Sequence, residues 1–309
     1  MEFIGTDILS AKQFARGDIE LVLKTAKKFE AIAKKEKRSD ILAGKVMGAL
    51  FYEPSTRTRF SFETAMLRLG GRAISVVGAQ FSSLSKGETL EDTGRVMSSY
   101  ADILVMRHSE VGSVDKLAAG ASVPVINAGD GVGEHPTQAL LDLYTIQKER
   151  GTIDGLKVAF VGDLKRYRSV HSLSQMLTHF NVSFTFVSPK EMKMDDHFTF
   201  KLKEKGIKFQ ETENLEDAIK DADVIYVTRI PKEYFSSPEE YEKFKGVYVV
   251  NRALLEDYGS KAIIMHPLPR VDEIAHDVDA LPGAAYFRQA ENGVTVRMAL
   301  LSMLLGARV

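Results

Sequence analysis

The sequence contains no cysteine among its 309 residues, which excludes disulfides, thiolate nucleophiles and thiolate metal sites. It also lacks an excess of either charge, because 41 basic and 42 acidic residues leave a net charge of -1. Such a balance offers no broad electrostatic attraction for nucleic acid or an anionic membrane. No apolar run reaches membrane-spanning length, and the N-terminus shows no signal-peptide pattern. We therefore expect a cytoplasmic protein that binds neither nucleic acid nor membranes.

Several catalytic motifs are missing as well. Without cysteine or a Gly-x-Ser-x-Gly elbow, a covalent acyl intermediate is disfavoured. There is no Walker A pattern, and the seven histidines show no metal-binding spacing such as His-Glu-x-x-His. Gly129, Gly131 and Gly133 resemble a dinucleotide-binding loop, but their spacing differs from that of the dinucleotide fingerprint. We therefore expect no cofactor and no catalytic metal.

Short apolar runs alternate with segments of helical period along the whole chain, a pattern typical of α/β proteins with parallel sheets. The length favours two domains, and Gly151 to Gly155 is the predicted boundary. The predicted strands are residues 46–52, 73–77, 102–106, 123–127, 157–161, 182–187, 207–210, 224–228, 247–250 and 262–265. The predicted helices are residues 60–69, 90–100, 170–180, 215–222 and 294–305, one that opens at His135-Pro136, and one before Gly206.

An unusually polar loop joins the first predicted strand to its helix. Three hydroxyls and two arginines fall within five residues, Ser55, Thr56, Arg57, Thr58 and Arg59. A loop between a strand and a helix presents free backbone N–H groups and the positive end of the helix dipole. Hydroxyls and a guanidinium beside those amides form an oxyanion cradle that suits phosphate. The alternative is an ordinary capped helix with solvated arginines, although a cap needs only one hydroxyl.

Other polar and charged residues follow further predicted strands, at the edge where open α/β sheets bind ligands. We expect two domains to bring these residues to a shared cleft for a pair of anionic substrates. A cleft without a nucleophile or a metal catalyses by positioning its substrates and by stabilising charge. The residues after the strands are Arg107, His108, His135, Gln138, Asp163, Lys165, Arg168, Arg229 and the segment 266–270.

Three segments resemble the signatures of the aspartate carbamoyltransferase family. They read Glu-Pro-Ser-Thr-Arg-Thr-Arg at 53–59, His-Pro-Thr-Gln-Ala-Leu-Leu-Asp at 135–142 and His-Pro-Leu-Pro-Arg at 266–270. The first marks the wider carbamoyltransferase group. The other two are similar to the aspartate branch, because the ornithine branch has a cysteine in both corresponding motifs. The likeness continues in order over essentially the whole chain.

The resemblance implies a fold of two domains, each a parallel sheet flanked by helices, joined by interdomain helices. It implies a carbamoyl phosphate-binding domain of residues 1–134, completed by a C-terminal helix at 291–309, and an aspartate-binding domain of residues 135–290. The implied reaction transfers the carbamoyl group of carbamoyl phosphate to L-aspartate, an early step of pyrimidine synthesis. The implied assembly is a homotrimer with shared active sites, and the sequence leaves open whether a regulatory chain binds.

The resemblance also implies a role for each site residue. The catalytic residues would be Thr58, Arg107 and His135, which contact the carbonyl oxygen as it gains negative charge. Lys86, Arg168 and Arg229 would bind aspartate, with Ser83 and Lys86 contributed by the neighbouring subunit. The carbamoyl phosphate-binding residues would be Ser55, Thr56, Arg57, Thr58, Arg107, His135, Gln138 and the backbone carbonyls of Leu268 and Pro269.

Several other charged residues are interpreted with less specific roles. Glu53 is expected either to pair with an arginine across the cleft or to remain a solvated carboxylate. Arg59 and Arg270 are expected in structural ion pairs. Two further histidines, His171 and His266, are interpreted as structural.

The chain departs from the family pattern on the aspartate side. Arg166 and Tyr167 stand where the family usually has Tyr-Gly, Pro231 replaces a glutamine, and Tyr234 replaces an arginine. Proline has no side-chain donor and stiffens the backbone. We therefore predict ordinary carbamoyl phosphate binding with altered aspartate handling. The alternatives are a catalytically weakened carbamoyl phosphate-binding subunit and a carbamoyltransferase for a related amino acid.

Overall fold

The computed structural model describes residues 1–232 and 235–308. The chain divides into two compact units, each containing one parallel sheet flanked by helices. Unit 1 comprises Met1–Tyr144 with Ala290–Val309, and unit 2 comprises Thr145–Gln289. The chain enters unit 2 within one helix, Pro136–Arg150, and leaves it within another, Tyr286–Leu304. The predicted fold class is confirmed.

Unit 1 has four strands, β1 (Val46–Phe51), β2 (Arg72–Val77), β3 (Ile103–His108) and β4 (Val125–Asp130). Its helices in chain order are α1 (Arg16–Lys28), α2 (Glu30–Ala33), α3 (Thr56–Arg68), α4 (Leu90–Met97), α5 (Ser113–Gly120) and α6 (Pro136–Arg150). All strands are parallel, in the order β2-β1-β3-β4. The inner strands are apolar on both faces because helices cover both sides of the sheet.

The two edges of this sheet differ. At β4 the N-terminal segment covers the edge, since Ile8 bridges Ile126 and its N–H donates to the Val125 carbonyl at 2.8 Å. At the other edge, β2 exposes most of its residues. A strand of a parallel sheet is normally covered on both faces, so this edge is an unusual surface for a single chain.

Unit 2 has five strands, β5 (Lys157–Val161), β6 (Ser183–Val187), β7 (Phe209–Thr212), β8 (Val224–Val227) and β9 (Ile263–Met265). Its helices are α7 (Arg168–Leu177), α8 (Asp196–Glu204), α9 (Leu215–Asp221), α10 (Pro238–Glu242) and α11 (Arg252–Asp257), before α12 (Tyr286–Leu304). The strands are parallel in the order β7-β6-β5-β8-β9. Rings of Phe160, Phe184, Phe186 and Tyr226 pack on one face, with centroids 5.6 to 6.1 Å apart.

The predicted strand at 247–250 is wrong. Val250 forms only an isolated bridge with Ile274, because β9 already occupies the edge beside β8. Tyr248 and Val250 are nevertheless buried in the core of unit 2. The apolar run therefore marked burial rather than membership of the sheet, an ambiguity that short runs carry.

Two helices begin earlier than their apolar pattern predicts. α3 starts at Thr56 rather than residue 60, so the polar loop is the first turn of the helix. α12 starts at Tyr286 rather than residue 294. The first turn of α3 escapes a hydrophobic pattern because it is polar, and a helix start leaves N–H groups for ligands or solvent. None of the helices in the described part of the chain is both long and apolar enough to cross a membrane.

Candidate functional site

The cradle predicted at 55–59 lies at the carboxyl end of β1. Ser55 has extended backbone (φ -159°, ψ 95°), and among the described residues its side chain caps no backbone N–H. Thr56 and Arg57 are exposed, Thr58 is buried, and the first turn of α3 contains no acidic residue. The free N–H groups of this turn therefore create a region of positive potential beside its hydroxyls, and this favours an anionic ligand.

Arg107 lies on the neighbouring strand β3, beside this cradle. Its backbone carbonyl accepts from the N–H groups of Tyr52 (2.9 Å) and Glu53 (3.3 Å), which holds the loop after β1 against β3. The register between β3 and β4 shifts between Met106 and His108, an irregularity that re-aims a side chain at a sheet edge. The structure thus places Arg107 and the cradle at the carboxyl ends of two adjacent strands, β3 and β1.

Glu53 forms an ion pair with Arg107 inside unit 1. Arg107 Nη2 donates to Glu53 Oε1 at 2.9 Å, and its Nη1 donates to the Ala128 carbonyl at 3.4 Å. The Arg107 side chain is only 12% exposed. A buried guanidinium is held in place by such partners, and an anion bound here would share it with Glu53. The sequence left two interpretations of Glu53, an arginine partner across the cleft or a solvated carboxylate. The structure shows a third arrangement, an ion pair with an arginine of the same unit.

His135 and Gln138 lie at the start of α6. His135 is 5% exposed, and its carbonyl accepts from the Gln138 N–H at 3.0 Å. Gln138 Nε2 donates to Asp142 Oδ1 at 2.8 Å. Because a carboxylate only accepts, the amide oxygen of Gln138 is turned away from Asp142 and is available to a donor on a ligand.

Asp142 is fully buried and belongs to a polar cluster that sequence analysis missed. Arg297 on α12 is 3% exposed, and its Nη1 donates to the Ser61 hydroxyl at 2.9 Å. Burial lowers the pKa of Arg297 to about 10, and the Asp142 charge opposes that shift. The Arg297 guanidinium also lies 4.8 Å from the Phe62 ring centroid. The only available signal was the position of Asp142 within the 135–142 motif.

The loop expected to serve a neighbouring subunit is ordered within unit 1. Ser83 and Lys86 bound a 3₁₀ turn, and Lys86 is exposed. The hydroxyls of Ser83 and Thr93 each donate to Glu88 Oε1 at 2.7 Å. The Thr93 bond, followed by the Ser83 bond, lowers the pKa of Glu88. Ser83 therefore supports the loop that displays Lys86.

In unit 2, Arg168 opens α7 after β5 and Arg229 follows β8, both half-buried. β5 and β8 are adjacent and parallel, so the two residues follow neighbouring carboxyl ends of the sheet. Gly162 keeps these strand ends close, because an added Cβ would lie 2.3 Å from the Thr228 carbonyl oxygen. The arrangement places two guanidiniums where a ligand with carboxylates could bind.

The 266–270 motif follows β9, the next strand along this edge. Leu268 has a positive φ of 56°, and Pro269 is exposed. Arg270 pairs with Asp279 and lies over the Tyr286 ring at 5.2 Å from its centroid, so its predicted structural ion pair is confirmed. Arg59 also has the expected ion pair, with Glu63 at 3.5 Å.

Arg166, one of the departures from the family pattern, makes specific contacts in unit 2. Its guanidinium pairs with the fully buried Asp163 at 3.2 Å and lies 6.0 Å from the Phe235 ring centroid. The Asp163 carboxylate also accepts from two backbone N–H groups of the same loop. Pro231 is buried, and Tyr234 lies outside the described residues. Arg166 therefore links the loop after β5 to the loop after β8.

The fold and the candidate site define an α/β protein of two units whose sheet edges present cations, hydroxyls and backbone amides suited to anions. The family model described as the carbamoyl-P binding domain of aspartate/ornithine carbamoyltransferase matches residues 6–148. The Asp/Orn binding domain model of the same family matches residues 154–304. The chain belongs to the aspartate/ornithine carbamoyltransferase family.

Individual relatives match over nearly the full chain. The aspartate carbamoyltransferase catalytic subunit of Methanothermobacter thermautotrophicus is 50% identical over 302 residues, covering 98% of this chain and 96% of the relative. The structure of the M. jannaschii aspartate transcarbamoylase catalytic subunit superposes with a TM-score of 0.92 at 52% identity, covering 97% and 98%. The Trypanosoma cruzi enzyme in complex with carbamoyl phosphate and aspartate gives a TM-score of 0.90 at 38% identity, covering 98% and 96%.

Proposed function

We propose that this chain transfers the carbamoyl group of carbamoyl phosphate to the amine of L-aspartate, giving N-carbamoyl-L-aspartate and phosphate, in pyrimidine biosynthesis. The observation that carries this proposal is the 50% identity to an aspartate carbamoyltransferase catalytic subunit over 98% of the chain. We also propose a cytoplasmic location. The two alternative functions have no comparable support.

The cradle of unit 1 is proposed to bind carbamoyl phosphate. Ser55, Thr56 and Arg57, with the N–H groups of the first turn of α3, would hold the phosphate. Arg107 would bridge the phosphate and the carbonyl oxygen, because its buried guanidinium lies on the strand beside the cradle. These contacts restrain the reactant, and preorganised positioning can contribute about 7–11 kcal/mol to catalysis.

Carbonyl activation is assigned to Thr58 and His135, together with Arg107. The aspartate amine attacks the carbonyl carbon, the bond from that carbon to the phosphate oxygen breaks, and the phosphate accepts the proton from the amine. Negative charge develops on the carbonyl oxygen during the attack, and each donor aimed at it contributes roughly 3–4 kcal/mol. Gln138 would accept from the carbamoyl amino group through the amide oxygen that Asp142 leaves available.

Unit 2 is proposed to bind aspartate and to orient the reacting amino groups. Arg168 and Arg229 would each pair with a carboxylate, which matches the number of charges on the substrate. The backbone carbonyls of Leu268 and Pro269 would accept from the carbamoyl amino group and from the incoming amine. Lys86, from a neighbouring subunit, would add a third cation.

A homotrimer is proposed because β2, the end of α3 and the turn after β2 carry exposed apolar side chains. Leu67, Ile74, Val77 and Phe81 are 60%, 47%, 42% and 80% exposed. Apolar clusters of this kind usually mark an interface. The loop of Ser83 and Lys86 follows β2, so a neighbour bound at this edge would receive both residues.

Turnover by the purified protein tests the proposal. We expect carbamoyl-aspartate to form from carbamoyl phosphate and aspartate, with inhibition by N-(phosphonacetyl)-L-aspartic acid and no product from ornithine. Light scattering should give the mass of three chains. Carbamoyl phosphate binding without turnover would support the weakened-subunit alternative, and turnover with a different amino acid would support the third hypothesis.

A further inference from the structure

A buried polar cluster in unit 2 has no role in the reaction as assigned above. Its members are His266, Glu273 and Gln289, with exposed fractions of 1%, 5% and 1%. His266 follows β9 directly, and Gln289 lies in α12. His266 was interpreted from the sequence as a structural residue. Its hydrogen bonds also attach it to the loop of Leu268 and Pro269, whose carbonyls are proposed above to contact the substrates.

Hydrogen bonds hold His266 through three different atoms. Its backbone N–H donates to Gln289 Oε1 at 2.8 Å. Its Nε2 lies 2.6 Å from Glu273 Oε1. The backbone N–H of Leu268 donates to its Nδ1 at 2.8 Å. The ring is therefore held on both sides within the 266–273 segment.

These contacts assign the tautomer of the ring. A backbone N–H only donates, so Nδ1 must be the acceptor, and the proton of the neutral ring is on Nε2. The Nε2–H group then donates to the Glu273 carboxylate, as in pairs where a carboxylate fixes the orientation of a histidine. A proton on Nδ1 would face the Leu268 N–H and break that bond.

Glu273 holds the far end of the same loop. Its carboxylate accepts from the N–H of Val271 at 3.2 Å and from the N–H of Asp272 at 3.1 Å. Burial raises the pKa of Glu273, but the bonds from His266 and from the backbone outweigh burial and lower the pKa overall. The carboxylate is therefore charged at neutral pH, and one histidine–glutamate pair holds the loop at both ends.

The backbone between these anchors needs the support. Leu268 has a φ of 56°, a left-handed conformation that is uncommon for a residue other than glycine. Such backbone persists where surrounding contacts hold it, and it is concentrated at functional sites. Over the described residues, the carbonyls of Leu268 and Pro269 accept no hydrogen bond from the chain, which leaves both oxygens for a ligand.

We propose that His266, fixed in its Nε2–H tautomer by Glu273, is a positioning residue that aims the Leu268 carbonyl at the amino group of carbamoyl phosphate. This inference rests on the proposed function. If the inference holds, the rate depends directly on Nδ1, which accepts from the Leu268 N–H. The Nε2–H group affects the rate only indirectly, because its bond to Glu273 keeps the proton off Nδ1. Substrate binding through the phosphate depends on unit 1 and should change little.

Two substitutions separate the ring nitrogens. In His266→Asn the side-chain oxygen can reach the position of Nδ1 and accept from Leu268, but the side chain is too short for Glu273. In His266→Gln the amide can reach the position of Nε2 and contact Glu273, but Leu268 loses its acceptor. His266→Gln should lower kcat roughly 10- to 100-fold, the effect of a misplaced orienting group. His266→Asn should retain most of kcat, with the KM for carbamoyl phosphate similar in both.

The readouts are kcat, both KM values and the melting temperature, with His197→Gln as an exposed control in the same unit. A purely structural role would lower stability and kcat equally in the Asn and Gln variants, and equal kcat values overturn the inference. If the wild-type protein has no turnover, the proposed function fails and this inference falls with it. Wild-type turnover with equal variants overturns the inference alone.

A second pair of variants decides the question should the His266 variants not fold. Glu273→Gln keeps an oxygen that accepts from Nε2–H, loses the Oε2 acceptor of the Val271 and Asp272 N–H groups that Glu273→Met also loses, and should retain most of kcat. Glu273→Met removes the acceptor, frees the ring to place its proton on Nδ1, and should lower kcat as His266→Gln does. Equal kcat values in these two variants would likewise overturn the inference.

Discussion

Replacing Asp142 by asparagine should destabilise unit 1 by about 3 kcal/mol, toward the low end of the cost of removing one of two opposite buried charges. Asp142 is fully buried, and its charge is what favours ionised Arg297. The fall in the pKa of Arg297 from 12.5 to about 10 corresponds to about 3 kcal/mol of unfavourable burial. That penalty already includes the favourable Asp142 charge, so removing the charge makes the burial of ionised Arg297 costlier still.

Calorimetry at neutral pH measures the effect. For a unit of this size, a loss of about 3 kcal/mol should lower the melting temperature by roughly 6–12 °C. Asp92→Asn is the matched control, because Asp92 pairs with Arg95 at 2.9 Å on the surface with both side chains more than half exposed. Exposed pairs contribute at most about 1 kcal/mol, so this control should melt close to the wild type.

A double variant separates stability from activity. Asp142→Leu with Arg297→Met replaces the two buried charged groups by apolar ones and should recover most of the stability. Gln138 would still lack the acceptor that orients its amide, so the KM for carbamoyl phosphate should remain raised. If Asp142→Asn melts no lower than the Asp92→Asn control, the reasoning about this pair is refuted.

Three further predictions concern other parts of the chain. Pro231→Gln should lower the KM for aspartate and leave that for carbamoyl phosphate unchanged, since it restores a side-chain donor on the aspartate side; an unchanged aspartate KM in steady-state kinetics would contradict this. Mixing inactive Lys86→Gln and Thr58→Ala chains should regain activity if sites are shared between subunits, whereas shared-site catalysis is ruled out if the mixture stays inactive after subunit exchange. The bond from Arg270 is the largest cause that lowers the pKa of Asp279 from 3.8 to about 2. Because the pKa is lower in the folded state, this stabilisation is present above pH 3.8 and is lost as the pH falls towards 2. Asp279→Asn should therefore lower the melting temperature at pH 7 and weaken its dependence on pH below 4, and an unaltered pH dependence would count against the pairing.

The order of strands and helices was largely readable from the sequence. Runs of apolar residues and helical periodicity are local properties, so β5 was predicted with its exact bounds and the other strands within a few residues, whereas the helices α1, α2, α5, α10 and α11 were not predicted. The failure at 247–250 came from a property that is not local. Tyr248 and Val250 are buried, but the sheet edge beside β8 is taken by β9.

The candidate site was accessible from sequence only as a set of residue types in a recognisable order. The motifs indicated which hydroxyls and cations face ligands, and their roles remain proposals. The motifs did not indicate the partners of those residues. Arg107 pairs with Glu53, 54 positions away, and Asp142 interacts with Arg297 near the other end of the chain.

The sequence by itself determined the family, the alternation of strands and helices, and the chemistry available after each strand, because these depend on residue type and short-range spacing. Only the tertiary structure decided the tautomer of His266, the buried charge beside Gln138 and the open edge at β2. Each depends on which distant segments meet, and that follows from the packing of the whole unit.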